Sequence, residues 1–133
     1  MKTQRIVIGT GCVVVVLFDL VASLAARRFE FPYARASVGS YFIYLISGFL
    51  AGRSARGHRA RAGTTAAAVV GLADVSLGWA VSWAIGPGRP PSGTLSPGAW
   101  MITAAAVVAF AGAIGYVGGV LGARSRPVAQ LAD

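Results

Sequence analysis

Charge is scarce in this chain. Only 12% of the 133 residues are charged, about half of the 25% usual in soluble domains. Acids are scarcer still: Asp and Glu together number 4 against 12 Lys and Arg. A folded domain of this size needs more polar surface than that to sit in water, which excludes an ordinary soluble enzyme and a solvated disordered chain. The single cysteine, Cys12, cannot form an intrachain disulfide and cannot by itself build a Cys-based metal site, so a disulfide-stapled secreted module is excluded too. Within an apolar helix its expected role is that of a small packed hydrophobe. What the chain has instead is 56% hydrophobic residues and a mean hydropathy of +0.68. That balance describes a protein dissolved in lipid.

Four segments are long and apolar enough to be read as transmembrane helices: about 6–26, 37–52, 64–85 and 99–123. The second is the shortest and could begin earlier, near Tyr33. Residues Val13 to Val16 favour a strand in water, but a backbone in hydrocarbon must satisfy its own hydrogen bonds, so helix is expected there. The fold class predicted is an all-α membrane protein, a four-transmembrane-helix bundle forming one transmembrane domain over residues 1–133. Lys2 and Arg5 followed by an apolar run and Ser23-Leu24-Ala25-Ala26 imitate a cleavable signal peptide, but Asp19 is out of place in such a run and retention is expected.

The net charge of +8 lies between the apolar runs rather than along them. Lys2, Arg5, Arg53, Arg56, Arg59, Arg61, Arg124 and Arg126 fall on one side of a four-span topology; Arg27, Arg28, Arg35 and Arg89 fall on the other. The richer side is expected to be cytoplasmic, which puts both termini there, in a bacterial inner membrane. No basic face interleaved with aromatics lies outside the spans, so nucleic acid is not an expected partner. The basic loop around Arg53 to Arg61 retains topology and offers an attractive surface for anionic lipid or an acidic protein. His58 in it is expected to be exposed and not a ligand. Residues Arg27 to Arg35 read as a solvated loop with an Arg–Glu pair, or as a short amphipathic segment on the membrane surface. The third loop, 86–98, is rich in Pro and Gly and cannot be helical throughout. Trp79, Trp83 and Trp100 flank it and suit an aromatic belt at the membrane interface, with Tyr33 and Tyr41 in the same role near the second span. Ligand stacking is the competing use of the tryptophans.

Small residues recur at helical spacing. Gly48 and Gly52, then Gly112, Gly115, Gly119 and Gly122, strip one face of the second and fourth helices so that backbones can approach closely. The contact so made is within the bundle or across a homodimer. Gly48–Ser54 and Gly119–Ser125 match at Gly, Leu, Arg and Ser without a gap, and each of the preceding helices carries one Asp. The chain can therefore be read as two parallel helix-pair repeats, or as a chance likeness between cytoplasmic helix ends.

Asp19 and Asp74 are the only charges inside the spans. At 1.5 Å per residue they lie roughly 20 and 15 Å from the cytoplasmic end. An Asp at a helix centre costs on the order of 2.5–3.5 kcal/mol, and such residues usually face a bundle interior or water. Three readings stay open. The two carboxylates share a site for a proton, a cation or a cationic substrate. Or each is an interhelical hydrogen-bond group, paired with Ser23, Ser40, Ser47, Ser76 or Tyr44. Or Asp19 is wet, or pairs with Arg27 or Arg28. No His, Lys or Glu joins them, so a metal site lacks ligands, no cofactor is expected, and no nucleophile–base pair points to an enzyme.

Phe31-Pro32-Tyr33, Ser40, Tyr44 and Gly48-Phe49, followed by Asp74, Trp79 and a Gly- and Pro-rich loop, resemble small four-span bacterial membrane proteins. That resemblance implies a four-helix membrane fold and no particular activity. Small multidrug exporters and fluoride channels share the size alone: the exporter's first-helix Glu is missing, with Asp19 standing later in the helix. The functional expectation is a small transporter- or channel-like protein. The alternative is a non-catalytic accessory or assembly subunit of a larger membrane complex.

Overall fold

The computed structural model describes residues 2–30, 32–88 and 96–125. Phe31, Arg89, most of the rest of the third loop and Arg126, all used in the sequence reading, lie outside the described residues.

The described residues are almost entirely helical. Helix α1 is Lys2–Phe29, and a 3₁₀ turn, Tyr33–Ala36, leads into α2, Ser37–Ser54. Helix α3, Arg59–Ala73, runs through a π-helical segment, Asp74–Gly78, into α4, Trp79–Ile85; α5 is Pro97–Arg124. The stops are chemical. Glu30 turns α1 aside with a φ of 53°, and Pro32 follows, unable to donate to a helical ladder. Gly86 ends α4 at φ 117°, a conformation open to glycine. Ser96 starts α5: its Oγ accepts from Ala99 N at 3.2 Å, and Pro97 occupies the first turn.

Among the described residues three helical stretches are long and apolar enough to cross a membrane: Lys2–Phe29, Arg59–Ile85 and Pro97–Arg124. They contain the predicted first, third and fourth spans. The predicted second span coincides with α2, an 18-residue helix that carries four serines and Arg53 and is not among these three.

Burial runs opposite to that of a water-soluble protein. The fully buried side chains are small or polar, with Tyr44, Val15, Val70, Ser23 and Ser82 the largest. The bulky apolar ones point outward: Ile6 is 67% exposed, Phe29 76% and Ile102 72%. A surface this apolar is unstable in water and at home in lipid. Inside, close backbone approach replaces large side chains. Helix α5 lies between α2 and α3. A side chain on Gly48 or Gly52 would meet the backbone of Gly115 or Gly119, and one on Gly118 or Gly122 would strike α2 at Leu45 or Phe49. On the α3 side, Gly63 abuts Gly115 and Gly119, and Gly112 faces Thr64 and Ala68. The predicted glycine faces thus meet inside the chain.

The opposite end of the bundle is open. Main chains of α4 and α5 do not come within 8 Å of one another at Cα, although α3 and α5 are in close contact along their length. Side chains fill the gap. Trp100 of α5 packs edge-to-face against both Trp79 and Trp83, with ring centroids 4.4 and 4.5 Å apart.

Candidate functional site: a paired carboxylate in the open end of the bundle

The buried face of α1 reads Gly11, Val15, Asp19, Ala22, Ser23 and Ala26, so helical periodicity turns Asp19 inward with its small neighbours. On α3 the buried residues Gly63, Ala66, Ala67, Val70 and Gly71 recur at intervals of three and four, and the stripe continues through Asp74 and Gly78 to Ser82. The π-helical segment begins at Asp74. Such segments insert a wide turn into an α-helix and re-aim the side chains that follow; they recur at functional sites.

The two aspartates come together. A side chain at Gly78 would collide with the Asp19 carboxylate and stand 3.1 Å from Asp74 Oδ1. Both acids therefore border the space that Gly78 leaves free. Asp19 is 4% exposed and Asp74 6%. They line a cavity of about 160 Å³ with Tyr33, Ser37, Ser40, Tyr41, Tyr44 and Trp79. Ala34 and Ser37 on its rim are exposed, which sets its mouth between the 3₁₀ turn and α2.

Each carboxylate is held by a tyrosine. Tyr44 Oη donates to Asp74 Oδ2, and Ser40 stands beside the same carboxylate. Tyr33 Oη donates to Asp19 Oδ1 at 3.4 Å, a long bond. Asp19 Oδ2 meets no protein donor and faces the Asp74 carboxylate, so that one proton held between the two acids would bridge them, while Ser23 Oγ lies within reach of Tyr33. Buried polar atoms are almost always paired, and one left over on a carboxylate is a place where a proton, a cation or a polar ligand gains a contact.

Of the other partners considered from sequence, Ser76 is exposed and bonds back to Leu72 O at 2.6 Å. Ser47 lies against Gly11, on the same buried face of α1 as Asp19 but about two turns away along the helix. Arg27 Nη1 donates to Ile85 O at 3.4 Å, tying α1 to α4. Tyr33 differs from its expected anchoring role, because the 3₁₀ turn folds it over the cavity. Tyr41 packs edge-to-face on Phe110 at 5.2 Å. Trp79, Trp83 and Trp100 form one cluster, with Trp79 also lining the cavity. Sequence leaves residues 33–36 between the first loop and an early start of the second span, and gives Tyr33 an interface role with no sign of the acid it meets. Gly78, four positions past Asp74, bears no mark in the sequence of the gap that admits Asp19. Among the described residues no three His, Cys, Asp or Glu side chains cluster.

No protein-family model, curated protein or solved structure matches the chain.

Proposed function

We propose that this is a small transporter- or channel-like protein of the bacterial inner membrane, with Asp19 and Asp74 as a joint site for a proton or a monovalent or organic cation. The observation that carries this reading is the meeting of two carboxylates, each less than a tenth exposed, at one cavity. Purely structural aspartates would each be satisfied within a separate dry helix contact. An ionised carboxylate accepts a cation, and a protonated one releases a proton to water or to its neighbour. A buried pair with a mouth on one side is suited to exchanging the two. Tyr33 is placed to act as a cover, since its hold on Asp19 is long and its turn is short.

The four rods are read as four spans. Lys2 of α1 and Ser54 of α2 line the same cavity at one end of the molecule, and Asp19 and Ser37 share the other. Helix α2 thus runs beside α1 through the same slab. Its 18 residues reach about 27 Å, and the 3₁₀ turn extends it toward the 30 Å of a bilayer core. Charge bias then puts both termini in the cytoplasm. The pairing of one Asp-bearing helix with one glycine-faced helix, twice, supports a parallel repeat.

The test is flux into liposomes. Protein in vesicles is expected to dissipate an imposed proton or monovalent-cation gradient, and the Asp19→Asn, Asp74→Asn double variant to lose most of that flux. Wild-type vesicles no leakier than empty ones, or a double variant that conducts normally, would reject the reading.

A further inference from the structure

At the end remote from the aspartates, a cavity of about 780 Å³ opens between the start of α1 and the α2–α3 connection. Its polar lining includes Lys2, Thr3, Gln4, Ser54, Arg56 and His58, and among the described residues no acid contributes to it. Arg56 and His58 are exposed, as is Lys2. Directly along the same two helices lies a second hollow of about 310 Å³, lined almost wholly by apolar side chains. On α1 it continues from Ile6 through Val7, Thr10 and Gly11 to Val14, a run of about 12 Å. On α2 it follows Leu50, Ser47, Ile46 and Ile43 away from Ser54. Gly11 gives it depth: a side chain there would stand 2.7 Å from Val70 and 2.8 Å from Ser47 Oγ, so α1 sinks against its neighbours at that point.

A cationic chamber at the bundle end and an apolar trough leading from it along one helix pair have the shape and polarity of one amphiphile. From this geometry we infer a binding site for an anionic phospholipid, with its phosphate between Lys2 and Arg56 and an acyl chain in the trough between α1 and α2. Charge complementarity selects the occupant. The chamber offers cations and hydroxyl or amide donors to a phosphate and no carboxylate to the ammonium of a zwitterionic headgroup. The trough excludes a free phosphate ion as a full occupant, because only a lipid fills both halves. Basic residues at a membrane surface attract anionic lipid by a similar amount each, so removing two is expected to weaken binding roughly thirty-fold.

Native mass spectrometry of the detergent-solubilised protein, titrated with phosphatidylglycerol or phosphatidylcholine, tests the site. Wild type is expected to retain phosphatidylglycerol in preference. The Lys2→Gln, Arg56→Gln variant should lose that preference while still holding some of either lipid. Thr10→Phe, which fills the trough from an exposed position, should lower retention of both. Equal retention of the two lipids by wild type, or a preference that survives the double substitution, overturns the site. Retention untouched by Thr10→Phe overturns the acyl-chain half. Circular dichroism and elution volume check that the variants fold, and the wild-type comparison decides the matter should they fail to.

Discussion

Tyr44 is the bulkiest of the fully buried side chains, and it spends its one hydroxyl on Asp74. Its ring also lies against Tyr41, with centroids 6.4 Å apart. Removing the hydroxyl leaves a buried carboxylate oxygen short of a donor, for about 1–3 kcal/mol. Hydrogen bonds between membrane helices are worth less on average, about 0.6 kcal/mol, because the unfolded chain finds partners in the bilayer as well. The carboxylate acceptor raises this one above that mean. A double-mutant cycle of Tyr44→Phe and Asp74→Ala, read by unfolding in mixed micelles, is expected to give a coupling of about 1–2 kcal/mol. A coupling near zero would mean that the tyrosine only packs. Asp19 and Asp74 stood out in the sequence because charge in an apolar run is costly wherever it falls. Tyr44 was legible among their possible hydrogen-bond partners, whereas Tyr33 was not. A tyrosine near a helix end suits the membrane interface as well as it suits a buried acid, and only the third dimension separates the two uses.

Helix α5 is built to be approached from two sides. Gly115 illustrates it: a side chain there would meet Ala67 and the Gly63 carbonyl of α3, while Gly48 of α2 presses on its backbone. No rotamer escapes both neighbours. Gly115→Val is therefore expected to destabilise the protein by about 3 kcal/mol or more, beyond the usual cost of overpacking. Ala113→Val, on the exposed side of the same helix, is the control and should be close to neutral. Thermal unfolding in detergent compares them; equal melting temperatures would show that the seam yields. The spacing of these glycines was readable because close helix approach demands a repeat of three and four residues. Their partners were not, since a bare face fits any other bare face of the right width. Nor was the π-helical segment. Its wide turn depends on what Asp74 and Gly78 meet across the bundle, and residues 74–78 carry no local mark of it in their composition.

The whole molecule is tight at its glycine-lined end and open where the tryptophans bridge α4 and α5, and the carboxylate cavity lies in the open part. Such an arrangement leaves motion to the open end while the seam stays fixed, provided that all four rods cross the bilayer. Helix α2 is the one rod of the four that falls short on hydropathy, because Ser37, Ser40, Ser47 and Arg53 dilute it. Its position argues the other way, for its last turn ends beside Lys2 and its first beside Asp19. The buried polar face explains the low hydropathy: Ser40 and Tyr44 serve the cavity, so a span that carries part of a polar site is necessarily less apolar than one that only meets lipid. In a Cys12→Ala background, single substitutions Phe29→Cys and Ser37→Cys are expected to react with a membrane-impermeant maleimide from outside intact spheroplasts. Lys2→Cys and Ser54→Cys should react only after permeabilisation. Labelling of Ser54→Cys from the same side as Ser37→Cys would mean that α2 does not cross. The molecule would then have three spans and its termini on opposite faces, and the carboxylate cavity would lie between two membrane helices and a polar one dipping in from the surface.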